Sequence, residues 1–180
     1  MKKLEILRIE WNKQPRVRQR AMTKEIADDK ELRKDIEKKP YRIVRTSELI
    51  VTFRYDGQEY TKRETIEAGW TYNYADIPWI VEPITCDKHS PYMKIPSLAH
   101  DRVLDRRYAL WYEWDLVNIF NNDLGTFRKL TSLIFEYLCI DAGIREHKAH
   151  IMAEAVDMFQ RFLPSWSRRS FNKYKEEMGF

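Results

Sequence analysis

Histidine is where acid–base or metal chemistry is sought first, because imidazole titrates near neutrality and ligates metals. Two of the four histidines, His147 and His150, fall on one predicted helix with Glu154 four residues further on. On a helix these three share a face, so one ion could bridge them. Their context, Arg-Glu-His-Lys-Ala-His, reads instead as a solvated face and matches no zinc signature. His100-Asp101 stands in a different setting. It follows a proline-broken aromatic stretch and shares its helix with Leu98, Val103 and Leu104. An adjacent His-Asp pair supplies two metal ligands or an oriented base, and with Asp76 it would make a metal-assisted hydrolytic site. The structural alternative is a half-buried histidine beside an aspartate that accepts from backbone amides. Neighbours on a helix point about 100° apart, so they seldom ligate one ion together. The expectation is therefore a brace: Asp101 accepts from the amides of residues 72–78, and His100 donates to Asp76 or to a loop carbonyl. No metal and no cofactor is expected.

Other chemistries lack their residues. There is no glycine-rich phosphate loop and no Gly-x-Ser-x-Gly elbow. Cys86 and Cys139 lie far apart and neither belongs to a Cys-x-x-Cys pair, so two idle thiols in a reducing compartment are expected. From Arg161 to Phe180 the chain interleaves Arg168, Arg169, Lys173 and Lys175 with Trp166, Phe171 and Tyr174. Cations hold phosphates and aromatic rings stack bases, so this is a candidate nucleic-acid arm. Glu176 and Glu177 dilute it, and an ordinary docking tail fits the residues at least as well; any nucleic-acid binding is expected to be weak.

The elements that would position these groups follow from pattern. The chain has 180 residues, 43% hydrophobic and 33% charged, with a net charge of +4, which suits one domain with solvated helix faces. No apolar run reaches the roughly 20 residues of a membrane-spanning helix. The first residues start like a signal peptide, but Glu5, Arg8 and Glu10 interrupt any apolar core, so export by that route is not expected. Residues 1–40 read as a charged helical arm. Its helix runs from Thr23 to Lys38 with a thin apolar stripe of Met22, Ile26, Leu32 and Ile36, and it is expected to pack poorly on the core. Tyr41–Thr46, Leu49–Tyr55 and Glu59–Ile66 read as strands, with Asp56-Gly57 as a type I′ turn. The stretch from Glu67 to Pro96 carries four prolines and five aromatic residues, among them Trp70, Tyr72 and Tyr74, and is expected to wall a site or an interface. Pro96 is expected to open a helix through Val103. Further helices are expected around Leu110–Phe120, Phe127–Leu138 and Ala149–Phe159, with breaks at Gly125, Gly143 and Pro164. Strands first and helices later give an α+β fold: a charged N-terminal helix, a small antiparallel sheet and a cluster of about four helices. The divisions are a 1–40 arm, a 41–163 domain and a 164–180 basic-aromatic tail.

Three segments taken together resemble a known family. Glu67-Ala68-Gly69-Trp70, then Ala75-Asp76-Ile77-Pro78, then Leu98-Ala99-His100-Asp101 are similar to the phage-borne domain of unknown function 1353. That family runs through a hairpin, Pro-Ala-Gly-Phe, Thr-Asp, Ala-Ser-Ile-Pro and a helix with Ala-x-x-His-Asp. A helix with Asp-x-Ile-Phe, a glycine and a last amphipathic helix follow. The later part matches Ser132-Leu133-Ile134-Phe135, Gly143-Ile144 and Ala149 to Phe162, so the resemblance spans residues 49–162. Here the family's Thr-Asp is Tyr72-Asn73, its serine before Ile-Pro is Asp76, its helical aspartate is Ser132, and Arg106–Phe127 is extra. Asparagine and serine are poor ligands and no general bases at neutral pH. The resemblance thus implies phage origin with a remodelled polar site. Gly69, Trp70, Tyr72, Asn73, Tyr74 and Pro78 are its binding or structural loop. That origin, the remodelled site and the two charged arms together suit a structural or assembly protein, in the virion or the host cytoplasm, that docks to other phage proteins. The metal-assisted hydrolase around His100, Asp101 and Asp76 is the alternative.

Overall fold

A computed structural model of the chain describes residues 3–73 and 91–179. Its strands are β1 (Leu4–Trp11), β2 (Val17–Gln19), β3 (Tyr41–Ile43), β4 (Ser47–Tyr55), β5 (Gln58–Ile66) and β6 (Thr71–Tyr72). Its helices are α1 (Lys24–Asp28), α2 (Lys30–Lys38), α3 (Lys94–Asp105), α4 (Arg107–Glu113), α5 (Leu116–Ile119), α6 (Leu124–Asp141), α7 (Glu146–Arg161) and α8 (Arg168–Met178). The class is α+β, as the order of patterns predicts.

Alternation makes the first sheet. β4 buries Ser47, Leu49, Val51, Phe53 and Tyr55, every second residue, against the helices. Asp56 (φ 52°) and Gly57 (φ 83°) both take the positive φ of a type I′ turn, which returns the chain as β5 in register Tyr55 to Gln58. β1 pairs antiparallel with the other side of β4, giving the order β1-β4-β5. A second antiparallel sheet has the order β2-β3-β6.

Helix α6 is the spine between two cores. Phe127, Leu130, Ile134 and Leu138 join β4 and the aromatic group of Trp111, Trp166 and Phe171. Phe135 and Cys139 instead join Ile43, Tyr72, Leu98 and Met152. α3 and α7 both pack on α6, so residues on their facing sides are sealed from water. Among the described residues no helix is long and apolar enough to cross a membrane.

Four expectations are corrected. Residues 1–40 do not form a helical arm: β1 is a sheet strand whose Leu4, Ile6, Ile9 and Trp11 pack on the first core. The 23–38 helix breaks at Asp29, whose side chain caps α2 by accepting from Glu31 and Leu32 N–H. Helical spacing across Leu110–Phe120 hides a break at Asp115, which takes φ 57° between α4 and α5. Residues 164–180, the candidate nucleic-acid arm, pack on the domain: Trp166 and Phe171 lie in the first core, and Tyr174 stacks on Tyr108 with ring centroids 5.6 Å apart.

Candidate functional site

The His-Asp pair sits on α3, at the contact of α3, α6 and α7. His100 is 4% exposed, with its ring 5.2 Å from that of Phe135. Its Nε2 lies 3.0 Å from the side-chain nitrogen of Gln160 on α7. With that amide as donor, Nε2 accepts and the ring proton sits on Nδ1, which faces Asp101 Oδ1 at 3.5 Å. Gln160 is itself 2% exposed, with its oxygen 3.4 Å from the Thr131 hydroxyl. That hydroxyl donates to the Arg128 carbonyl (2.7 Å). A polar seam therefore crosses three helices in an otherwise apolar interface. An imidazole whose Nε2 lone pair is held by a buried amide has no free base to offer from that nitrogen.

The brace had His100 donating to Asp76 or to a loop carbonyl; the contact that the described residues show is with Gln160. Asp76, Tyr74 and Pro78 lie outside the described residues, as does Cys86. Sequence reasoning missed Gln160, which is 60 residues away, although its place on the apolar side of the last amphipathic helix marked it as facing inward.

Asp101 looks the other way, into a cleft of ≈ 190 Å³ between α3 and the second sheet, lined by Lys39, Trp70, Tyr72, Asn73, Asp105 and Arg107 among others. Trp70, Tyr72, Asn73 and Asp101 thus line one cleft. Gly69, at φ 98°, carries the chain into this wall; its N–H donates to the Ile43 carbonyl (2.8 Å), and the Trp70 carbonyl accepts from Ile43 N–H (2.9 Å). Trp70 and Tyr72 stack nearly parallel, with centroids 5.7 Å apart and planes 5° from each other.

Behind that wall lies a charge network. Glu64, 2% exposed, accepts from Arg102 Nε (2.6 Å) and from Arg106 Nη1 at 3.1 Å to each oxygen. Arg102 also donates to the Thr65 carbonyl (2.7 Å) and to Glu67 (3.2 Å), and its guanidinium carbon lies 5.6 Å from the centre of the Trp70 ring. The wall is held rigid by a buried ion pair. Its sequence signal is an inward carboxylate: Glu64 shares the face of Ile66 in an alternating strand.

No family model, curated protein or solved structure matches the chain. The other candidates are resolved by contacts. His150 Nδ1 lies 3.0 Å from Glu136, and Glu154 pairs with Lys129, so the face they share with His147 is a solvated one, tied between α6 and α7 by polar contacts. No group of three or more metal-ligating side chains is found among the described residues. On α8, Arg168, Arg169, Lys173 and Lys175 are exposed, but Trp166 and Phe171 point into the core and Tyr174 lies between Tyr108 and Tyr112. The interleaving is a helix period with one face buried, and Trp166 and Phe171 present no platform for bases.

Proposed function

We propose that this chain is a phage-encoded structural or assembly protein that docks to other components of the particle. The carrying observation is the seat of His100. The one histidine with a catalytic pattern is buried, bound at Nε2 by Gln160, and joins three helices. The Trp70–Tyr72 wall beside Asp101 is braced by the buried Glu64–Arg102 pair, which suits a fixed docking surface. The resemblance of residues 49–162 to the phage-borne family supports the origin. Nucleic acid, if bound by the α8 cations, would be bound through phosphates alone, with an affinity that falls steeply in salt.

Two measurements test this. Mass spectrometry of purified particles from the encoding phage should find the protein; its absence from particles and from assembly intermediates would overturn the proposal. His100→Ala should lower stability by roughly 1–3 kcal/mol, the cost of a lost buried hydrogen bond. Stoichiometric zinc, manganese or iron in the wild type, lost in His100→Ala with no fall in melting temperature, would install the metal-assisted hydrolase instead.

A further inference from the structure

The outer face of the second sheet carries a conflict that no carboxylate among the described residues relieves. Arg18 on β2 and Arg42 on β3 are directly opposed in register. Opposed residues in an antiparallel pair project from the same face, and like charges there are destabilising. The nearby ion pair is already made elsewhere: Asp35 on α2 binds Arg20 at 2.8 Å, and Arg20 also donates to the Lys39 carbonyl. Neither Arg18 nor Arg42 has a carboxylate within ion-pair distance among the described residues. Above them, α1 and α2 lean over the sheet and leave an open groove of ≈ 670 Å³. Its apolar lining includes Ile26, Leu32, Ile36 and Val44, of which Leu32 is 39% and Val44 47% exposed.

We infer that this groove is a docking site for an acidic, amphipathic peptide segment of a protein partner. Carboxylates of the segment would pair with Arg18 and Arg42, where a guanidinium offers a bidentate fork. Its apolar side chains would cover Leu32 and Val44, which have no cover of their own. A nucleic acid fits less well, because the lining between the arginines offers aliphatic side chains and no aromatic ring for bases. The inference rests on the docking reading and names the chemistry of one partner.

The probe is a short synthetic peptide with leucine on one face and glutamate on the other, titrated into the full-length protein and followed by methyl NMR. The expected result is shifts confined to Ile26, Leu32, Ile36 and Val44. Affinity should weaken about tenfold or more in Arg18→Glu/Arg42→Glu, as for losing charge-assisted pairs. A leucine–lysine peptide of the same pattern should not bind. Equal binding of the lysine peptide, shifts outside the groove, no shift at all, or tighter competition by a single-stranded oligonucleotide would each overturn the inference. Since Arg18 and Arg42 are exposed, the double variant should melt no lower than the wild type, and a lower melt would show a structural role and overturn it too. Failure here with the protein still found in particles would sink the groove alone; absence from particles would sink the docking reading itself.

Discussion

Glu64 is a buried carboxylate on which two guanidinium groups converge. It is almost wholly buried, and the Arg102 and Arg106 guanidinium groups compensate it. Removing one partner of a buried pair leaves a charge without enough solvation, at a cost of about 3–5 kcal/mol, whereas replacing the whole pair by apolar groups is often close to neutral. Arg102→Ala should therefore destabilise by that amount, and Glu64→Leu with Arg102→Met should cost less than Arg102→Ala alone. Urea denaturation midpoints at fixed pH check both. A double variant less stable than the single one would overturn this account.

At the level of elements, the caps decide where helices begin. Asp123 opens the spine helix α6: its Oδ2 accepts from the Thr126 hydroxyl (2.7 Å) and its Oδ1 from Gly125 N–H (2.9 Å). The Thr126 hydroxyl first, and the Gly125 and Thr126 amides with it, hold this carboxyl below the ordinary aspartate range. A carboxyl depressed in the folded state stabilises above its unfolded pKa, and that stability is lost as pH falls through the folded value. Asp123→Ala should cost about 0.5–2 kcal/mol at neutral pH. The gap between wild type and variant should shrink on acidification below about pH 4. Thermal melts across an acid series measure this, and a gap that stays constant with pH would remove the charge from the account. The start of α6 follows from local cap chemistry at Asp123, although Gly125, expected to mark a break, is the second residue of the helix. The split at Asp115 was not legible, because helical spacing continued across it while one residue went left-handed.

For the molecule as a whole, the two parts of the N-terminal forty residues differ. β1 pairs with β4 along its length and lies against α6. α1 and α2 bury only Ile36. Deleting residues 1–11 should abolish cooperative unfolding, since it uncovers both the edge of β4 and the apolar side of α6. Cleavage between Met22 and Lys39 should leave the near-UV dichroism of the core intact. Limited proteolysis followed by circular dichroism separates the two. A folded core after loss of β1 would restore the picture of a detachable arm.

Local chemistry decided what the sequence determined alone. The Asp56-Gly57 turn, the alternation of β4, the breaks at Gly143 and Pro164, and the α+β class all depend on neighbours a few residues apart, where backbone sterics and periodicity act directly. Tertiary structure decided the rest. Charge made Leu4–Trp11 look like an arm, but β4 needed a partner for its backbone, and that need outweighed the strand's polar outer residues. Aromatics in 164–180 looked available for bases until burial against Phe127 and Tyr108 took them. His100 met Gln160 from 60 residues away because α3 and α7 both pack on α6, and a contact made by packing has no period in the chain.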